Sequence, residues 1–365
     1  MRATWGWAIW GWMGVALLVG TGCASEIEER GPEGGAHEPG TEPPVTDEPA
    51  APPGEGEGGE RAPRPLPGPA PSEPPVEAPP FTCEGKTGVD GRRVISFMHD
   101  GLLRTTYLHV PDQYEPTEGT MLVLNFHGFT SADWQQALLT GMGEVAEERG
   151  FIVAYPQGVA ASWNAGDCCG TAWTDSVDDV GFVQALIERL AEDYCVDPRR
   201  IHATGMSNGG FISHRLACEL SDTIASIAPV AGVIGVDPGE CAPERPMPVW
   251  QFHGTRDPLV PYEGGTPILH DLGVGVVFRS VADTLEHWAT VNGCSLERSE
   301  MIVEGDTTCV AWADCDAPTR LCTVDGGGHT WPGGLPIPFL GRTTNDLDAT
   351  RQMVAFFEDN PLPAR

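Results

Sequence analysis

Basic residues are scarce in this chain. Lys and Arg number 21 against 52 Asp and Glu, which leaves a formal net charge of −31 at pH 7. So acidic a surface repels phosphate backbones and anionic headgroups, which argues against nucleic acid and anionic lipid as partners. Also missing are a Walker motif, a dinucleotide fingerprint and a zinc signature, so no cofactor and no metal is expected. No C-x-x-C pair occurs, and the adjacent Cys168-Cys169 is a poor geometry for two ligands of one zinc ion. No apolar run is long enough to read as a membrane span. The best candidate, Trp5 to Val19, is short and interrupted by glycine. No internal repeat is evident.

What is present begins with an export signal. Arg2 precedes that apolar run, and Gly20-Thr21-Gly22-Cys23 follows it. Small residues before a cysteine predict cleavage and lipid attachment at Cys23, the alternative being an ordinary secretory signal cleaved nearby. Residues 1–23 are therefore read as a signal peptide with a lipobox. Residues 24–80 are Pro, Glu and Gly with few large apolar side chains. Such a segment cannot bury enough surface to offset its ordering entropy, and its prolines and repelling glutamates keep it extended. It is expected to be a disordered tether, which places the folded part outside the cell or on its surface with a membrane contact only through the lipid. Residues 81–365 are one domain's worth of chain. They carry ten cysteines, an even number that predicts disulfides in an oxidising compartment, one of them closing the Cys309 to Cys322 region.

Within 81–365, strand-like and helix-like stretches alternate. Val94–Met98 and Arg104–Val110 read as opening strands joined by a turn at His99-Asp100-Gly101. Met121–Phe126 is a continuous apolar run of the kind buried in a parallel sheet. Helices are expected over 134–149, 179–194, 276–291 and 347–357, and further strands at 151–155, 200–204, 224–230, 249–252 and 319–324. The pattern predicts an α/β fold, a mostly parallel sheet covered by helices on both faces.

The chemistry centres on Gly205-Met206-Ser207-Asn208-Gly209, set between a β-branched run and a helical spacing of apolar residues. Strand, sharp turn and helix is the setting in which G-x-S-x-G becomes a nucleophile elbow, its glycines required because side chains there would collide with the neighbouring strand and helix. His253-Gly254-Thr255-Arg256-Asp257 and Gly328-His329 follow. Ser, Asp, His is the chain order of an α/β-hydrolase. Ser207 is the candidate nucleophile, His329 the base and Asp257 its orienter. A turn-forming aspartate before Pro258 is the structural reading of Asp257, and Asp283, inside an expected helix, is its nearest rival. Backbone N–H groups of Asn208 and Phe129 are the candidate oxyanion donors. His127 is read as shaping the Phe129 loop, His253 as a satisfied loop residue, and Asp178-Asp179 as a helix cap. Trp163 and Trp331 are candidate substrate-facing indoles, with core packing as the competing reading.

Six separated motifs are Trp163-Asn164-Ala165-Gly166, Cys168-Cys169-Gly170, Val177-Asp178-Asp179-Val180-Gly181-Phe182, Gly205 to Gly210, His253 to Tyr262, and Gly328-His329-Thr330-Trp331-Pro332-Gly333. In this order they resemble the polyhydroxybutyrate depolymerase-like esterases, a group that includes secreted feruloyl and acetyl xylan esterases. The resemblance spans about residues 83–358. It implies an α/β-hydrolase fold and Ser207, Asp257 and His329 as the triad. Related feruloyl esterases and tannases carry a cysteine before the serine and another after the histidine. Here Met206 and Thr330 stand there, which disfavours that subgroup. The expected activity is carboxylic ester hydrolysis, on feruloyl esters of plant cell-wall xylan first and on poly(3-hydroxybutyrate) second. A catalytically silent surface-binding lipoprotein is the reading from another class, disfavoured because every triad position is filled.

Overall fold

The computed structural model describes residues 81–267 and 276–364. The expected signal peptide, Cys23 and the 24–80 tether lie outside the described residues. Ten strands form one sheet in the order β1-β2-β4-β3-β5-β6-β7-β10-β9-β8. Six central strands run parallel: β4 (Ile152–Pro156), β3 (Thr120–Phe126), β5 (Val196–Met206), β6 (Ser226–Val230), β7 (Val249–Gly254) and β10 (Thr319–Val324). The hairpin β1 (Gly91–His99) and β2 (Leu102–Val110) adds an antiparallel edge. Its turn holds Asp100 and Gly101 at φ 46° and 75°, the paired positive angles that match a two-residue turn to strand twist. The other edge is the antiparallel pair β8 (Arg298–Glu304) and β9 (Thr307–Trp312).

Side-chain alternation along the strands separates two cores. Leu122, Leu124, Phe126, Ile201, Ala203 and Ile227 face the side covered by α4 (Asp179–Asp193), α5 (Asn208–Glu219) and α6 (Val281–Val291). Met121, Val123, Ala228, Val230 and Phe252 face the side covered by α2 (Met142–Arg149) and α7 (Ala349–Asp359). The parallel strands β3, β4, β6 and β7 are buried along their whole length, which is why they read as continuous apolar runs.

Two expectations are corrected. The single helix expected over 134–149 is two: α1 (Asp133–Thr140) and α2, broken where Gly141 takes φ 59° and caps α1 in the left-handed region. The β8–β9 hairpin was not anticipated. β8 is an edge strand almost wholly in water, with Arg298, Glu300 and Glu304 along it, so no apolar alternation marks it.

All ten cysteines of the described residues pair: Cys83–Cys195, Cys168–Cys169, Cys218–Cys241, Cys294–Cys315 and Cys309–Cys322. The last joins residues directly opposite each other on β9 and β10, as the expected closure of that region requires. No helix among the described residues is long and apolar enough to cross a membrane.

Candidate active site

The three candidate triad residues sit just beyond the carboxyl ends of β5, β7 and β10, the edge at which open α/β sheets place their ligands. Ser207 joins β5 to α5 at φ 59° and ψ −126°, a region an L-residue enters only under constraint. Close packing supplies that constraint. A Cβ on Gly205 would lie 2.5 Å from the Phe126 carbonyl oxygen, and one on Gly209 would lie 2.1 Å from the same atom. Only glycine lets α5 start so close to β3. The Ser207 N–H donates to the Val230 carbonyl at 2.9 Å, tying the turn to β6.

His329 donates its Nδ1–H to Asp257 Oδ2 at 2.7 Å, with both residues buried. The other carboxylate oxygen, Oδ1, accepts the N–H groups of Leu259 and Val260, each at 2.8 Å. Asp257 therefore forms the turn before and after Pro258 and also orients the histidine. Its turn hydrogen bonds and its contact with His329 fit both readings of it. Burial alone would raise its pKa, but His329 and His253 outweigh burial and hold the carboxyl well below its usual range. The loops carrying the pair are joined, since Arg256 N–H donates to Gly327 O at 2.9 Å and His329 N–H to Leu340 O at 2.8 Å. Asp283 belongs to a capping box with Ser280 at the start of α6, which removes it as a rival.

The loop 127–131 borders the nucleophile. A Cβ on Gly128 would stand 3.3 Å from Ser207 Cβ and 3.9 Å from its Oγ. His127 shapes this loop: its Nδ1 donates to Gly128 O at 2.8 Å, and its Nε2 accepts from Gly158 N at 2.9 Å. Burial pushes its pKa down to about 4, so it stays neutral and suits a structural part. Asn208 links the elbow to the next loop. Its side-chain oxygen accepts from Trp163 N at 2.7 Å, and its amide donates to the carbonyls of Trp163 and Cys168 at 3.1 and 3.2 Å. Asp179, read as part of a cap, does more. Its neighbour Asp178 is the α4 cap, while Asp179 is fully buried against Arg104 at 2.6 Å and accepts Asn164 N at 2.8 Å. This ion pair pins the 163–164 segment from the far side.

Beside Ser207 opens a cavity of about 160 Å³. Its walls include Phe129, Trp173, Phe211, Phe278 and the Cys168–Cys169 disulfide. The two indoles expected to face substrate are elsewhere. Trp163 is fully buried with its Nε1 donating to His127 O at 2.9 Å, and Trp331 is fully buried with its Nε1 on Thr350 Oγ1 at 2.9 Å. Both are corrected to core residues, because each spends its only polar group inside the protein. The cavity's rings come from four separate stretches of chain, and no local spacing in the sequence could have announced them. Among the described residues no group of three or more His, Cys, Asp and Glu side chains is placed to hold a metal ion.

A parallel sheet wrapped by helices, a strained serine at its carboxyl edge and a buried carboxylate–imidazole pair define a class: the serine carboxylic ester hydrolases of α/β-hydrolase fold. Comparison with known proteins narrows it. No model of a known protein family matches the chain. Feruloyl esterase B of Piromyces equi is 33% identical over 237 residues, which are 62% of this chain and 42% of that protein. "Putative esterase NocK" of Nocardia uniformis is 32% identical over 321 residues, 80% of this chain and 91% of that one. The chain thus spans less than half of the first relative and nearly all of the second. An acetyl xylan esterase from Aspergillus awamori shares the fold, with a TM-score of 0.51 over 73% of this chain and 99% of its own, at 14% identity. The chain belongs to the family of esterases that includes the NocK protein and feruloyl esterase B.

Proposed function

We propose that the protein hydrolyses feruloyl esters carried by plant cell-wall polysaccharide. Ser207 attacks the ester carbonyl, and His329 takes the serine proton and returns it to the leaving sugar hydroxyl. Asp257 holds the imidazole, and the N–H groups of Phe129 and Asn208 receive the oxyanion. Water then enters by the same route and releases the acid. The observation that carries the acyl preference is the cavity beside Ser207. Its volume of about 160 Å³ is many times the ~10–15 Å³ that admits one water, and Phe129, Trp173, Phe211 and Phe278 border it. An acetyl group would leave most of that apolar surface uncovered, whereas a planar aryl acyl group would cover it. Asp167 and Thr174, the polar side chains on the same wall, are suited to a phenolic hydroxyl.

The deciding experiment compares methyl ferulate, feruloylated xylo-oligosaccharide, acetylated xylan and polyhydroxybutyrate granules at equal enzyme. Feruloyl esters should give the highest kcat/KM. Preference for acetylated xylan or for the polyester would overturn the acyl assignment and leave the esterase class standing. We place the enzyme outside the cell, held by a lipid on Cys23 with residues 24–80 as its tether. Cys23→Ser should release it from the membrane fraction with its activity per molecule unchanged, and a wild type already soluble would reject the anchor.

A further inference from the structure

Behind the carboxylate of Asp257 lies a buried chain of polar side chains that the triad does not use. Trp288 on α6 donates its Nε1–H to His214 Nδ1 at 3.0 Å. His214 on α5 meets Gln251 Oε1 through Nε2 at 3.0 Å. The Gln251 amide nitrogen reaches Gly232 O at 2.7 Å and His253 Nδ1 at 3.2 Å. His253 Nε2 reaches Val260 O at 2.9 Å and Asp257 Oδ2 at 3.4 Å. Trp288, His214 and Gln251 are fully buried, and His253 is 1% exposed.

The direction of this chain is forced by its first member. An indole N–H can only donate. His214 Nδ1 must therefore accept, which leaves the proton on its Nε2. Gln251 Oε1 accepts that proton, so its amide end donates to His253 Nδ1. Nδ1 then carries no hydrogen and Nε2 carries one. That one N–H is shared between the Asp257 carboxylate and Val260 O. The second contact acts on the same carboxylate, because the Val260 N–H itself donates to Asp257 Oδ1. Tyr262 closes the site edge-on to the His253 ring, with centroids 5.8 Å apart.

We propose that His253 is a positioning residue, a fixed N–H donor whose tautomer is set from Trp288 and which holds Asp257 in register for His329. This rests on the triad reading given above. Asp257 thus has donors on both oxygens before His329 is counted, so its carboxylate cannot rotate without losing a buried hydrogen bond. His329 and His253 are the titratable side chains recorded against it among the described residues.

The test uses the full-length enzyme with a soluble aryl ester and the variants Ser207→Ala, His253→Ala, His253→Gln and Trp288→Phe. His253→Ala should lower kcat by about 10- to 100-fold with KM within about 2-fold, the range expected for losing a hydrogen bond to a charged group. The acid limb of its kcat/KM profile should move to higher pH, because a carboxylate relieved of one donor pulls harder on the imidazolium. His253→Gln, which can again present an N–H, should recover most of the loss and restore the limb. Trp288→Phe should cost less than His253→Ala, since it frees only the tautomer. A His253→Ala enzyme with wild-type kcat, an unmoved acid limb, or a glutamine variant no better than alanine would each overturn the proposal. Ser207→Ala separates the two levels. If it is inactive while His253→Ala matches wild type, positioning alone fails. If it remains active, the triad reading fails first.

Discussion

The two sides of Ser207 are built on opposite principles. On one side, Asp257, His253, Gln251, His214 and Trp288 form a dry run in which each polar atom has a partner and each proton has one place to be. On the other, the cavity wall of Phe129, Trp173, Phe211, Phe278 and the Cys168–Cys169 pair is apolar and drawn from separate stretches of chain, helical and irregular. The first side must hold a geometry to a fraction of an ångström, and directional bonds do that. The second must accept a shape, and close-packed apolar surface does that with a tolerance the reaction step does not have.

The sharpest test of the division is removal of the proposed nucleophile. Ser207→Ala should lower kcat by about 10⁵-fold or more, and by the same factor for every ester tried. Uniformity is the informative part, because a triad residue serves all substrates alike. Its thermal midpoint should match that of the wild type, since alanine keeps the same Cβ at a φ of 59° and the serine side chain makes no cap hydrogen bond to α5. A loss confined to aryl esters would assign Ser207 to the wall.

Asn208 joins the two sides and should give the next largest effect. Its backbone follows the nucleophile, and its side chain makes three hydrogen bonds to the 163–168 segment that leads into the wall. Asn208→Ala leaves the N–H of Trp163 without a partner in a buried place and takes one of two donors from each of the Trp163 and Cys168 carbonyls. The expected outcome is a loss of about 2–4 kcal/mol in stability by chemical denaturation, together with a fall in kcat for all esters and an added rise in KM for aryl esters. If only one of the two parameters moves, the loops are independent and the joint is not at this residue.

How much of this was legible in the sequence follows the same division. The elbow could be read because its signature is local: the glycines that the Phe126 carbonyl of β3 requires both fall within the short G-x-S-x-G span. The Ser, Asp, His order and the apolar runs of β3, β6 and β7 were legible for the same reason. What escaped was whatever depends on tertiary direction. Trp163 and Trp331 carry the composition of substrate-facing residues but turn inward, where His127 O and Thr350 Oγ1 take their indole protons. His253 read as a satisfied loop histidine. It is satisfied by its sequence neighbours Gln251, Val260 and Asp257, but the direction of those bonds is set from His214 on α5 and Trp288 on α6, which meet Gln251 only in the fold. The edge strand β8 carries no burial pattern at all, and Gly141 was read as a helix interior when it ends one.

The wall should respond selectively and more mildly. Phe278 is 9% exposed and packs on Phe211 with ring centroids 5.2 Å apart. Phe278→Ala should lower kcat/KM for methyl ferulate by about 10- to 100-fold, the worth of one aromatic contact removed from an apolar pocket. p-Nitrophenyl acetate, whose acyl group does not reach this ring, should change by less than about 3-fold. Equal losses on both substrates would mean that Phe278 supports the machinery and that the contrast between the two sides is drawn in the wrong place.

The smallest expected effect is on the pH dependence of stability, and it comes from histidines kept neutral by burial. His127 and His214 border the machinery, and His202 lies on the opposite face of the sheet, stacked on Phe357 at 4.8 Å. Burial pushes them from 6.5 down to about 4, about 3 and about 3 respectively. The unfolded chain takes up these protons first as pH falls, so the folded state loses stability from about pH 6.5 downward. Each group adds about 1.4 kcal/mol per pH unit well inside its window, and above pH 6.5 the contribution is level. Urea denaturation at pH 7, 6 and 5 should therefore show stability falling before any carboxylate of ordinary pKa has titrated. His202→Phe keeps the stack on Phe357 and removes one proton-binding group. It should cost about 1 kcal/mol at pH 7 for the hydrogen bond lost to Ser226 Oγ. Between pH 6.5 and 4 its stability should fall by about one proton less per pH unit, with kcat unchanged because His202 touches neither side of the site. An unchanged slope would place the acid sensitivity with His127, His214 and the other histidine whose pKa burial lowers, His287, and not with His202.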